Sequence, residues 1–304
     1  MKTEVFLEIG INLDMNKNFI LIEYNNVPYP DGYCSDIKEV AGHLDKTLIE
    51  KAERYSLHTE YSYGKRNLDS SILDEFEALR IAHKDRVPQL WKSEEWAAEF
   101  AAFIIELTKD NNPPAIIEIH PPFNDYCDTA QFVQRYQVFE KKIHQVYPAT
   151  QIVIENRAGA IYKGGRFVVS TAAEIAQLCT LIAQCNINLG VVLDFPQLLT
   201  AERIDTLKFD KAKYEAAIDK IAQHREQIKG IHIWGKRKSQ SGRWVAHTGT
   251  LDTYFGDNVD SKSAFIRGII KVCNDGVPRF LVPEVNSGAD DLASIVNDIF
   301  SFED

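Results

Sequence analysis

Pro113-Pro114-Ala115-Ile116-Ile117-Glu118-Ile119-His120-Pro121-Pro122 is the stretch on which the fold turns. A short isoleucine-rich run lies between two proline pairs, and proline interrupts both helices and central strands. A near-continuous apolar run of this length reads as a strand buried on both faces of a parallel sheet. It ends in a side chain capable of chemistry, His120.

Four later runs repeat that design. They are Gln151-Ile152-Val153-Ile154-Glu155, Gly190-Val191-Val192-Leu193-Asp194, Gly230-Ile231-His232-Ile233-Trp234 and Phe280-Leu281-Val282-Pro283-Glu284. Helical periodicity fills the intervals over 91–109, 129–146, 171–185, 211–228 and 261–273, and 289–300 closes the chain. Ser93 with Glu95 suits one helix start, and Ser170-Thr171 ahead of Glu174 predicts a capped start for another. Strands recur every 35–50 residues or so, the length of a βα unit with long loops.

Such alternation permits a (β/α)8 barrel or a doubly wound sheet. The strand ends favour the barrel, because His120, Glu155, Asp194, His232 and Glu284 would converge on one face around its axis. A doubly wound sheet usually carries a glycine-rich phosphate turn, and Gly164-Gly165 alone is too short to be one.

Nearer the N-terminus, Val5 to Ile9 and Phe19 to Tyr24 read as strands. The gap between them, about nine residues, is too short for a helical crossover. They form a hairpin, or the first helix is degraded. Ile37 to Arg54 then reads as a helix, and Tyr55 to Tyr61 as a strand carrying His58. The count reaches eight strands. The expectation is one (β/α)8 TIM-barrel domain over residues 1–304 with an irregular first βα unit.

Composition narrows the function. With 45% hydrophobic and 26% charged residues, a mainly disordered chain is excluded. Forty-four acidic residues against thirty-four basic ones give −10, which repels phosphate backbones and anionic membranes on average. No apolar run approaches the roughly 20 residues of a membrane span, and the first residues lack a signal pattern. The five cysteines form no CxxC pair and read as reduced buried thiols of a cytoplasmic protein.

Seven side chains stand out together: His58, His120, Glu155, Asp194, His232, His247 and Glu284. Imidazoles and carboxylates without thiolates form an N/O site for Mn²⁺, Zn²⁺, Mg²⁺, Fe²⁺ or Co²⁺. Each alone is most often structural; five consecutive strands ending this way are not a chance pattern.

These residues resemble those of the xylose-isomerase-like TIM-barrel superfamily, which holds sugar isomerases, epimerases and apurinic/apyrimidinic endonucleases. The similarity runs over about residues 55–300. Ile154-Glu155-Asn156-Arg157-Ala158-Gly159 resembles the endonuclease Glu-Asn-Thr-Ala-Gly segment, and Ile119-His120-Pro121 its His-Pro-Gly strand end. Leu193-Asp194-Phe195, Ile231-His232-Ile233 and Pro283-Glu284 match the ligand strands of both branches, and Leu57-His58-Thr59 matches a third-strand histidine segment. The resemblance implies one or two divalent ions. One would be held by Glu155, Asp194, His232 and Glu284. A second would be held by His58, His120 and Glu155, with Glu155 bridging.

Two departures separate the chain from the endonucleases. Gln197 and Val245 stand where that branch has a histidine and an aspartate of its third metal site, and only His247 remains. The implied activity is therefore a metal-dependent sugar isomerase or epimerase, with Glu155 and Glu284 as acid/base groups and a sugar or phosphorylated sugar as substrate. His247, Trp234, Lys236, Arg243 and Asn156 are the expected substrate contacts. An endonuclease-like phosphodiesterase is the second reading, supported by His58, His120 and the basic run Lys236-Arg237-Lys238, with the net charge weighing against nucleic acid. A metal-binding barrel without catalysis is the third. The oligomeric state is not encoded in these motifs.

Overall fold

The computed structural model describes residues 19–162 and 165–302. Eight parallel strands close into a barrel: β1 (Phe19–Glu23), β2 (Ile37–Gly42), β3 (Tyr55–Thr59), β4 (Ile116–Ile119), β5 (Gln151–Glu155), β6 (Gly190–Asp194), β7 (Ile228–Ile233) and β8 (Arg279–Pro283). Each pairs with its neighbours in sequence, and β1 pairs with β8 to complete the ring. Helices follow from β3 onward: α1 (Glu94–Thr108), α2 (Thr129–Val146), α3 (Ala172–Cys185), α4 (Phe195–Ala201), α5 (Lys211–Ala222), α6 (Val259–Cys273) and α7 (Ala289–Phe300). This is a (β/α)8 TIM barrel.

Local chemistry sets the helix starts. Ser93 caps α1 by accepting from the Trp96 amide, so the helix begins at Glu94 rather than at Trp91. Thr171 and Glu174 form the expected capping box of α3. Turns follow Ala222, so α5 ends there and Ile228 opens β7 instead of continuing the helix.

The first third corrects the sequence reading. Val5 to Ile9 lies outside the described residues. Ile37 to Arg54 is not a helix: Ile37–Gly42 is barrel strand β2, flanked by β1 and β3. Its apolar residues do recur at helical spacing. Pairing on both sides, however, satisfies the backbone and places Ile37 in the barrel interior, and that tertiary gain overrides local periodicity. Neither 24–36 nor 43–54 contains a helix, so the irregularity spans two units, not one. The first connection is tied down instead by Tyr29 donating to the Ile22 carbonyl and by Ser35 donating to those of Leu21 and Ile37.

Two apolar layers hold the barrel. Outward residues such as Ile117, Ile154, Leu193 and Ile231 pack with the helices, including Trp96, Phe100 and Phe139. Inward residues Ile22, Ile37, Ile116, Val153, Val192 and Val282 plug the lower interior. Strand side chains alternate faces. Two residues above this plug, the inward positions are therefore Glu39, Glu118, Glu155, Asp194 and Glu284. Hydrophobic layers below force the polar ones toward the C-terminal mouth, where barrel chemistry resides.

Three cysteines (Cys127, Cys179, Cys273) are buried free thiols, whereas Cys34 and Cys185 are exposed, against the expectation that all five are buried. Cys34 lies in the irregular first connection and Cys185 at the solvent end of α3, where no core covers them. Among the described residues no helix is long and apolar enough to cross a membrane.

Candidate metal centre

Register brings the mouth residues together. His58 sits opposite Glu118 on adjacent strands, and Asp194 opposite His232. His58, Glu118, His120 and Glu155 place one ligand atom each within 4.8 Å of one another. Glu39, His232 and Glu284 form a second such group, and Glu155, Asp194 and His232 a third. The four ligands expected for one ion, Glu155, Asp194, His232 and Glu284, thus divide between two groups that meet at His232.

Whether these residues suit a cation is answered by His120. Its Nδ1 lies 3.1 Å from the Glu60 carbonyl, which only accepts, so Nδ1 carries the proton. Burial, above the opposing pull of Glu155, lowers its pKa. Its Nε2 lies within hydrogen-bond distance of Glu155 Oε2, at 2.7 Å. A proton or a metal cation between these two atoms satisfies both, so the pair can serve as ligands once the proton is displaced. A backbone carbonyl orienting a ligand imidazole is a common support of metal sites. His232 reinforces the point. It is fully buried, and neither ring nitrogen has a hydrogen-bond partner, although Nε2 lies 3.2 Å from Glu118 Oε2 and Nδ1 lies 3.3 Å from Glu284 Oε1. Glu118 Oε1 is likewise unpartnered, 3.4 Å from His58 Nε2.

The titration behaviour follows from this crowding. Burial and the neighbouring carboxylates Glu155 and Glu284 push Asp194 up to about 7. Burial, with Glu118 and Glu284, likewise raises Glu39 to about 7. Glu155 goes the other way: against burial, Arg157, His120 and His58 hold it well below the usual carboxylate range. His232 and His247 do the same for Glu284. For His58, burial opposes protonation, but Glu39, Glu155 and Glu118 outweigh it and lift the imidazole to about 10.

Asp194 is held differently from the other carboxylates. Its Oδ1 accepts the Gln197 amide N–H as the N-cap of α4, and its Oδ2 accepts both Gln197 Nε2 and Trp234 Nε1, each at 2.8 Å. The Gln197 side-chain amide also donates to Glu155 Oε1. This glutamine fills the space between two carboxylates with a donor. Asn156 is fully buried, its amide bridging the Asp194 backbone N–H and C=O, so it positions β6 against β5.

A cavity of about 820 Å³ opens above the cluster and is lined in part by His58, Glu155, Arg157, Trp234, His247 and Glu284. That size lies within the usual range of roughly 300–1,000 Å³ for small-molecule sites. His247 sits in the left-handed region (φ 57), stacks on Trp234 at 4.6 Å and places Nδ1 3.3 Å from Glu284 Oε2. Of the expected substrate contacts, Trp234 and His247 therefore line the cavity. Lys236 does not: it lies at the base of the hairpin formed by Lys236–Lys238 and Trp244–Ala246, its ammonium over the rings of Trp244 and Tyr254. Arg243 is exposed at the far end of the same hairpin.

Glu39 and Glu118 escaped the sequence reading, which stopped at strand ends. The signal was there: a glutamate within Ile116-Ile117-Glu118-Ile119-His120, two residues before His120 and hence on its face.

No family model and no curated protein matches the sequence. Solved structures similar to it include AsfvAP in the AsfvAP:AG structure (13% identity, 81% of this chain and 83% of that one, TM-score 0.45). A sugar phosphate isomerase/epimerase from Parabacteroides distasonis ATCC 8503 is similar at 13% identity over 82% of this chain and 86% of that one, with a TM-score of 0.39. A xylose isomerase-like TIM barrel/4-hydroxyphenylpyruvate dioxygenase fusion protein is similar at 16% identity and a TM-score of 0.42, over 81% of this chain and 38% of that one.

Proposed function

We propose that this chain is a divalent-metal-dependent isomerase or epimerase of a small sugar or sugar phosphate, moving a proton on the carbon next to a carbonyl. The observation that carries this reading is the group His58, Glu118, His120 and Glu155, with ligand atoms within 4.8 Å of one another, beside a cavity that Glu155 and Glu284 line. His58, Glu118, His120 and Glu155 would hold the cation. When bound, it supplies Lewis-acid polarisation of a substrate oxygen.

The chain's own residues divide the remaining work. Glu155 accepts from Gln197 and Arg157 and faces His120, so it is anchored on several sides. Glu284 lies three strands away around the barrel and belongs to the cavity wall. It is the better placed of the two to take the proton from carbon, as general base, and to return it. His247, 3.3 Å from Glu284 and partly exposed, links that carboxylate to solvent. The Trp234 ring, stacked on His247, offers an apolar wall for a sugar face, and its indole N–H is committed to Asp194.

The test is proton exchange. The metal-loaded protein is incubated with a panel of aldoses, ketoses and their phosphates in D₂O, and deuterium incorporation is followed by NMR. Uptake into one substrate, lost in Glu284→Gln, supports the assignment. Cleavage of an abasic DNA strand with no uptake by any sugar would replace it with the phosphodiesterase reading. Tight metal binding with neither activity would leave a binding barrel.

A further inference from the structure

We propose that Arg157 determines substrate choice in this cavity: it pairs with an anionic group of the substrate, a phosphate or a carboxylate, so that charged sugars bind in preference to neutral ones. This deepens the isomerase reading above and rests on it for the reaction, but not for the binding.

Four observations converge. First, Arg157 lines the cavity, and its side chain is only 13% exposed. A guanidinium stays charged at any ordinary pH, and a buried charge is costly unless its donors are satisfied. Secondly, those donors are only partly spent. Nη1 donates to Glu155 Oε2 at 3.3 Å, whereas Nε, on the other edge of the group, is buried without a partner. Balancing Glu155 needs Nη1 alone. The edge formed by Nε and Nη2 is the one that takes a carboxylate or phosphate through two parallel N–H groups.

Thirdly, that edge is held in place. The guanidinium lies over the rings of Tyr61 and Phe167, 5.6 Å from each centroid. The Arg157 backbone N–H donates to the Val169 carbonyl at 3.1 Å, which fixes the residue just beyond β5. A planar fork oriented before binding loses little further freedom when an anion arrives.

Fourthly, the wall is otherwise hostile to anions. Glu39, Glu50, Glu155 and Glu284 all line it. Among the described residues the only other lysine or arginine on that wall is Lys38, which is spent on Glu50 at 2.5 Å. An anion is repelled by such a surface unless a cation with free donors receives it. A neutral sugar, conversely, offers Nε no charged acceptor.

The experiment compares matched ligands. Each sugar of the deuterium-exchange panel is titrated by calorimetry into the metal-loaded full chain, beside its phosphate ester and, for aldoses, its aldonate. The tightest ligand is expected to be charged and to exceed its neutral parent by about 10–100-fold. Arg157→Gln is expected to abolish that excess while neutral sugars bind as before. Arg157→Lys keeps a charge beside Glu155 without the two-donor edge and is expected to keep only part of the excess. Preference for phosphates alone identifies a phosphate ester; preference for aldonates alone identifies a carboxylate. Neutral sugars bound as tightly as their charged partners, or a full preference retained by Arg157→Gln, would overturn the proposal. If Arg157→Gln does not fold or loses its metal, an undiminished preference in Arg157→Lys overturns it instead. A charged ligand bound through Arg157 with no deuterium uptake would sink the isomerase reading and leave this one intact. Uptake into a neutral sugar that binds as well as its phosphate would do the reverse.

Discussion

Stripping the metal should make the fold lose stability as pH rises, and reloading it should abolish that loss. In the metal-free chain His58 holds its proton to about 10, because Glu39, Glu155 and Glu118 outweigh the opposing effect of burial. An unfolded histidine releases its proton near 6.5. Between pH 7 and 9 the folded state therefore binds more protons than the unfolded state, and stability falls by up to about 1.4 kcal/mol per pH unit. Over two units His58 alone accounts for about 3 kcal/mol. His232, also held well above its ordinary value against burial, adds loss of the same sign. Glu39 and Asp194, raised to about 7, give up what remains of their protons in the same window, again destabilising the fold as pH rises. The depressed groups stay silent. His43, pushed down to about 3 mainly by burial, and His120 are neutral in both states above pH 7, while Glu155 and Glu284 are ionised in both. A cation needs the imidazole lone pairs, so the loaded protein carries neutral rings and binds more tightly as pH rises. The assay is urea unfolding at pH 7, 8 and 9 with chelator or with Mn²⁺, read as midpoint and slope. A chelated chain as stable at pH 9 as at pH 7, or a loaded chain with the same decline, would refute the reasoning.

Three further outcomes are expected. Gln197→Leu removes the amide that donates to Glu155 and Asp194; it should cost about 1–3 kcal/mol in chelator by urea titration, and an unchanged midpoint would show that these donors are dispensable. His247→Ala should slow deuterium exchange about 10²-fold while metal content stays at the wild-type level; unaltered exchange would remove His247 from the reaction path. Gly235→Ala would bring a Cβ to 2.6 Å from the Thr250 carbonyl oxygen and 2.8 Å from that of Gly249. The loop carrying His247 must then shift, at about 1–3 kcal/mol by thermal or urea unfolding, and an unperturbed Tm would disprove that tight fit.

The residues show how much was legible. The strands of β4 to β8 announce themselves as apolar runs closed by His120, Glu155, Asp194, the pair His232–Trp234, and Glu284, because a strand buried on both faces has little room for anything else. The capping box at Thr171 and Glu174 is equally plain, since it depends on contacts four residues apart at most. β2 was not legible. Ile37, Val40, Ala41 and Leu44 satisfy a helical period, and only the open backbone edges of β1 and β3 make the segment a strand.

By itself, then, the sequence determined a parallel barrel with imidazoles and carboxylates at one mouth, because burial and face alternation act over a few residues. Tertiary structure alone decided how those side chains are shared. Closing the ring sets His58 beside Glu118 and His232 between Glu118 and Glu284. It also gives Asp194 to Gln197 and Trp234 rather than leaving it free. Such pairings depend on inter-strand register and on loops that return over the mouth, and these distances have no local signature in the chain.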